Sequence, residues 1–253
     1  MSALQVAAFL ACVGIATFAQ TITGFAQALI LLGLASLFEL APLAEVANVA
    51  MVLSLVNAAV AMRTMRRSVD WKVWRNAVSG SVLGYAIGVG LLAWLSANVV
   101  LVLKLLLGMV VIGCALIVLV RATQLAERSS RLSFQGFGVL SGVLGGLFSA
   151  SGPPLVYQFY RQPMDIDEVR DTLQAALATG SLIRLAMVVP AGQFGKHAVV
   201  LSLIAAPMVM LVTWWMRRSP PKWPREVVLK FVCALLMVTG VGLIGPAVTA
   251  LWR

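Results

Sequence analysis

Ser149, Ser151, Gly152, Pro153 and Pro154 stand in the middle of Gly136 to Arg161, a stretch otherwise apolar enough to enter a bilayer. Proline lacks a backbone N–H and disfavours a helical residue before it, so a plain spanning helix has no need of such a break. Irregular backbone at membrane depth is tolerated only where protein or a watery cavity covers it. A helix that starts at a break offers free N–H groups and the positive end of its dipole, and both attract an anion. A second polar, glycine-containing stretch, Gln20 to Gln27, interrupts the first apolar tract. Backbone and hydroxyl donors from Thr21, Thr23, Gly24, Ser149, Ser151 and Gly152 would cradle a small anion, with Gln20, Gln27, Tyr157 and Gln158 lining the same cavity. The competing reading is packing alone, with small residues present only to let helices touch.

Arg184 is the sharpest single residue, because it lies inside an apolar span. An arginine there costs a few kcal/mol unless it faces a cavity or a partner. Its planar five-donor fork suits oxyanions. The alternative is snorkelling to the nearer surface. Ser181 shares its helical face three residues earlier. Ser54 and Asn57 hold the matching places in the first half of the chain. Glu45 and Asn48 share a face of their own span. An intramembrane carboxylate can relay protons, but Glu45 is near a helix start, where capping is the simpler role. Lys104 and Lys230 are each about one turn inside a span and should snorkel. Asp165, Asp167, Glu168 and Asp171 read as a solvated loop surface.

The elements that must position these groups follow from composition. The chain is 61% hydrophobic and 11% charged over 253 residues, against about 25% charged in an ordinary soluble protein. Apolar runs of about 20 residues recur, the mark of a polytopic helical membrane protein. The net charge of +10 collects in short loops beside spans, as a positive-inside pattern requires, and no aromatic-studded basic domain suggests nucleic acid. Cys12, Cys114 and Cys233 form no CxxC pair, so neither a metal site nor a disulfide framework is indicated. The N-terminal apolar segment lacks a basic leading region and runs too far for a cleaved signal peptide.

In order, residues 3–38 form one apolar tract too long for a single span, read as two helices or half-helices meeting near Gly24. Spans follow at 43–62, 76–95 and 99–120. The second is rich in small residues (Gly80, Ser81, Gly84, Gly88, Gly90) and suited to close packing. The second half repeats the plan: the broken stretch 133–160, then spans at 172–189, 198–216 and 226–249. Short turns or loops are expected at Val69-Asp70-Trp71, at Ser96-Ala97-Asn98, and from Arg161 to Asp171. The halves superpose at a shift of about 127 residues, as internal repeats of transporters do. Basic loops 63–75, 121–131 and 217–225 should be cytoplasmic, which puts equivalent loops on opposite faces. The expected fold is therefore all-α and polytopic, with 8–10 membrane segments. It comprises two inverted repeats, 1–125 and 126–253, each with three full spans led by a broken helical hairpin. One long tilted helix leading each half is the plainer alternative.

Such a fold suggests a secondary transporter of a small anion, alternating access around a midplane site. It would lie in the bacterial inner membrane with the lipid bilayer as its surroundings. No cofactor, metal or nucleic acid is called for. Coupling to H+ or Na+ and assembly as a homo-oligomer are left open. No Walker motif is present, so nucleotide hydrolysis is not expected. A passive anion channel is a second class. An intramembrane serine hydrolase at Ser151 is a third, disfavoured because a serine nucleophile needs an adjacent base and His197, the sole histidine, falls in a loop.

The sequence resembles the TauE/SafE sulfite-exporter family over nearly its whole length. The resemblance rests on Thr23-Gly24-Phe25-Ala26, Val69-Asp70-Trp71, the small-residue span Gly80 to Gly90, Gly142 to Tyr157 with its Ser-Gly-Pro-Pro core, Leu173-Gln174-Ala175, and Ser181-Leu182-Ile183-Arg184. Family members typically read Gly-x-Gly in the first hairpin, where this chain has Gly24-Phe25-Ala26. They read Gly-Gly-Pro-Pro in the second, where Ser151 replaces the first glycine. The resemblance implies export or uptake of small sulfur-containing or related organic anions. At the two breaks themselves, Thr23, Gly24, Phe25, Ser151, Gly152, Pro153 and Pro154 are the expected site residues.

Overall fold

The computed structural model describes residues 3–23, 25–62, 69–98, 100–119, 125–218, 233–234, 236–241 and 244. Gly24, Lys230, most of the expected last span 226–249, and much of the basic loops 63–75, 121–131 and 217–225 lie outside the described residues. Among those described, regular structure is helical throughout: α1 (Ala3–Thr23), α2 (Gln27–Leu37), α3 (Leu43–Met62), α4 (Trp71–Asn98), α5 (Val100–Leu119), α6 (Arg131–Phe148), α7 (Gly152–Tyr160), α8 (Ile166–Val188) and α9 (Lys196–Arg218). Four helices, α1, α3, α4 and α9, contain segments long and apolar enough to cross a membrane. Val82, Leu83, Ile87, Leu91 and Trp94 on α4, and Leu203, Leu211, Trp214 and Trp215 on α9, are exposed. Apolar faces of that extent fit lipid rather than water. The chain is a multi-pass membrane protein.

Both long apolar tracts break where proline, glycine and hydroxyl residues gather. α6 begins at Ser130, whose hydroxyl accepts from the Ser133 N–H. It stops at Ser149, which adopts a left-handed conformation (φ 54°) and returns its N–H to the Gly145 carbonyl. A non-glycine residue there costs about 1 kcal/mol. α7 then starts at Gly152, with Pro153 and Pro154 in the first turn, where a missing N–H is least felt. α7 runs back along α6. Phe134 and Phe159 rings meet edge to face at 6.1 Å, Gln158 donates to the Ser133 hydroxyl, and the Leu125 N–H bonds the Arg161 carbonyl. The tract 133–160 is thus a hairpin that leaves and rejoins one end of the molecule, not one long tilted helix. α2 likewise turns back on α1, and all its residues from Gln27 to Ser36 are buried. A helix of 11 residues is only about 16 Å long and needs protein around it at both ends.

Several boundaries differ from the sequence reading. α9 starts at Lys196 rather than 198, so His197, expected in a loop, lies in its first turn. α4 starts at Trp71 rather than 76, because the Asp70 carboxylate caps the Lys72 and Val73 N–H groups. α4 also runs on to Asn98, so the expected 96–98 turn is helix. α8 starts at Ile166 rather than 172. The acidic residues read as loop surface favour a helix start instead, through its dipole.

Packing then fixes the hairpins. α4 lies along α6 through facing glycines. A Cβ added at Gly80, Gly84 or Gly88 would run into the α6 backbone, and one at Gly138, Gly142 or Gly146 into that of α4. Small residues four apart on both helices allow this approach. α9 lies along α1, but there the neighbour of Gly14 is the flexible end of Met208. α3 is central, packing on α2, α8 and α9. The starts of α4, α6 and α8 gather at one end: Arg128 pairs with Asp70 at 2.9 Å, and the Asp70 N–H bonds the Thr172 hydroxyl. At the other end the starts of α3 and α9 meet, with His197 Nδ1 2.6 Å from Glu45 Oε2.

Candidate functional site

Arg184 is fully buried, with 0% of its surface exposed. It does not snorkel. Its Nε donates to the Gly146 carbonyl at 3.0 Å, and its Nη1 to the Ala47 carbonyl at 3.3 Å and to Asn48 Oδ1 at 3.0 Å. Met51 Sδ lies 3.7 Å from the same nitrogen. The Gly146 carbonyl is free for this because α6 ends two residues later, leaving its last carbonyls without helical partners. The guanidinium therefore faces the negative end of the α6 dipole, about half a charge, and no carboxylate bonds to it among the described residues. Its Nη2 is buried without a partner. A buried charge in that condition is costly. Its unused donor makes it the strongest candidate in the molecule for receiving an oxyanion.

The surrounding groups come from both breaks. Ser149 donates to the Ala47 carbonyl at 2.6 Å, the same acceptor that Arg184 reaches. Ser141 donates to the Ser151 carbonyl at 2.5 Å. The Tyr85 hydroxyl reaches the Ser151 side chain, while its ring fills a notch left by Gly145 and Gly180. Tyr85, Ser81, Ser141 and Ser151 line a narrow crevice that Ala77, Val78, Leu155 and Ala176 complete. The first break arrives from the other side. A Cβ added at Gly152 would sit 2.5 Å from the Phe25 Cβ, so residues 25 and 152 touch. The structure thus draws Phe25, Ser149, Ser151, Gly152 and Arg184 into one neighbourhood.

Other nominated residues go elsewhere. Pro153, Pro154 and Tyr157 line an apolar groove of about 200 Å³ together with Val110, Phe137 and Leu140. Tyr157 is held there by Arg161, which donates to its hydroxyl at 3.0 Å and stacks over its ring. Gln27 serves the first hairpin. Its N–H bonds Gln20 Oε1 at 3.0 Å, and its side chain donates to the Thr17 hydroxyl. Thr21 bonds the Thr17 carbonyl. Thr23 ends α1. Ser54 and Asn57 lie one and nearly two turns beyond Met51 along α3, and Arg184 bonds neither. Asn57 is buried with its amide nitrogen unpartnered, and Ser181 is buried on α8. Gln158 locks α7 to α6 rather than lining a cavity.

The expected N–H cradle is also reduced. Gln20 covers the start of α2. At the start of α7, Pro153 and Pro154 carry no N–H, leaving Gly152 and Leu155 as donors in the first four residues. The positive element is a side chain, not a helix end. Glu45 pairs with His197 instead of merely capping α3. The partners missed from sequence are Tyr85, the Ala47 and Gly146 carbonyls, and Asn48. Asn48 carried a signal as a polar side chain inside an apolar span; the carbonyls carried none.

The family model described as "Sulfite exporter TauE/SafE" matches residues 8–243. A Cupriavidus necator protein described as "Probable sulfite/organosulfonate exporter TauE" is 35% identical over 164 residues, 65% of this chain. The chain spans 64% of the length of that curated relative. No solved structure matches it.

Proposed function

Because this chain belongs to the sulfite exporter TauE/SafE family, we propose that it is a secondary transporter, not an enzyme. It exports a small oxyanion such as sulfite or an organosulfonate across a bacterial inner membrane. The observation that carries the reading is Arg184: a buried cation with no carboxylate bonded to it among the described residues and an unpartnered Nη2, beside the point where the two broken hairpins touch. The guanidinium binds oxyanion oxygens, while Ser149, Ser151, Gly152, Phe25 and Tyr85 enclose them.

Alternating access in this proposal uses two inverted repeats, 1–125 and 126–253. Matching packing supports it: α4 lies on α6 as α9 lies on α1, and α4 meets α8 as α9 meets α3. The α6–α7 hairpin opens toward the end where α4 and α8 start. α2 instead leads into α3 at the opposite end. Rocking of one repeat against the other would expose Arg184 to each side in turn. Coupling to H+ or Na+ and homo-oligomer assembly are compatible additions.

The test is transport in proteoliposomes with sulfite, sulfate, sulfonates and carboxylates, for the native protein and for Arg184→Ala and Arg184→Lys. Export of at least one anion is expected, lost in Arg184→Ala and weakened in Arg184→Lys, which lacks the fork. Undiminished transport by a folded Arg184→Ala protein removes the assignment.

A further inference from the structure

Asn48 is bonded in two directions. Its Oδ1 accepts from Arg184 Nη1 at 3.0 Å, and its Nδ2 donates to the Gln193 carbonyl at 2.8 Å. The amide orientation is fixed by chemistry: arginine only donates and a carbonyl only accepts. Gln193 belongs to the connection between α8 and α9, residues 189–195, which is exposed from 189 to 193. It turns at Gly192 (φ 66°). One turn of α3 before Asn48, Glu45 holds His197 at the far end of the same connection. Asn48 therefore ties this segment to the buried Arg184 through one side chain, while Glu45 holds the first turn of α9 just beyond it.

We propose that residues 189–195 form a gate over the anion site, and that Asn48 is the positioning residue through which an anion at Arg184 releases it. Asn48 Oδ1 is the only side-chain oxygen bonded to the guanidinium among the described residues. An oxyanion seated on the free Nη2 in the fork's two-pronged mode also claims Nη1, with a charge-assisted bond about twice as strong as the neutral one from Asn48. Displaced from Arg184, the Asn48 amide turns and loses its grip on Gln193. The Glu45–His197 clasp remains and limits how far the segment opens. The substrate thereby unlocks its own exit.

This inference rests on the proposed anion site, and the experiment separates the two. Hydrogen exchange of residues 188–199 and calorimetric sulfite binding are measured on the full chain in lipid nanodiscs. In the native protein, sulfite speeds exchange of this segment severalfold. In Asn48→Ala the segment exchanges fast without sulfite and responds no further, and sulfite binds about fivefold tighter, the worth of one released hydrogen bond. Asn48→Asp keeps the acceptor and loses the donor. Its segment is also fast, but its carboxylate competes for Arg184 and weakens sulfite by about tenfold or more. Glu45→Gln speeds exchange and keeps the sulfite response. Equal weakening of sulfite by both Asn48 variants marks Asn48 as a mere prop and overturns the proposal. Sulfite binding with no change in exchange overturns the coupling and leaves the site standing. Absence of sulfite binding in the native protein, or binding undiminished by Arg184→Gln, overturns both.

Discussion

The two breaks, at 25–26 and 149–151 among the described residues, follow α1 and α6 at matching places, yet their polar groups are used differently. In the first hairpin Gln20 caps α2, and Gln27 and Thr21 bond back to Thr17, all within the hairpin itself. In the second, Ser149 reaches α3, Ser151 meets Tyr85 of α4, and the end of α6 receives Arg184 from α8. The first break seals itself and presents Phe25 as an apolar wall. The second is wired into three other helices and holds the charge. Similar sequence features at equivalent positions therefore make one structural post and one chemical site. The neighbours decide which is which: α4 meets α6 backbone to backbone, whereas α9 meets α1 through flexible side chains.

Gly84→Leu should break this contrast most severely. It forces α4 off α6, with a loss of more than about 3 kcal/mol, read as failed assembly or a much lower melting temperature in detergent. Gly14→Ala in the equivalent seam should cost less than about 1 kcal/mol, because the Met208 end can move aside. Equal sensitivity of the two seams would erase the distinction.

A smaller effect separates conformation from bonding at Ser149. Ser149→Ala loses the bond to the Ala47 carbonyl and keeps the left-handed strain, costing about 1–2 kcal/mol. Ser149→Gly loses the same bond but relieves the strain, and should be about 1 kcal/mol more stable than the alanine variant. Equal melting temperatures for the two would count against the strained cap. Smallest of all, Gln27→Met removes one weak bond and an unpartnered carbonyl oxygen. Stability within about 0.5 kcal/mol of native and intact sulfite transport are expected. Lost transport would make the first break a ligand-binding partner after all.

Long apolar runs and the prolines and glycines between them set the all-helical class, the two breaks and the span of α3, because lipid leaves a chain few ways to satisfy its backbone. Local chemistry blurred the boundaries: Asp70 extended α4 backward, and acidic residues did the same for α8. Arg184 stood out in the sequence as an arginine inside an apolar span, and Ser149, Ser151, Gly152 and Phe25 were nominated beside it; its burial is a finding of the structure. Its partners were not legible. The Gly146 and Ala47 carbonyls belong to the backbone and have no residue-type signature. Tyr157, Pro153 and Pro154 looked equal to Ser151 along the chain, but helix rotation turned them to the opposite face. What the sequence determined is where the chain must break and that an apolar span carries a cation. Which groups meet that cation was decided only by the glycine seam and the crossing of α3, because contacts between distant segments depend on how closely and at what rotation the helices pack.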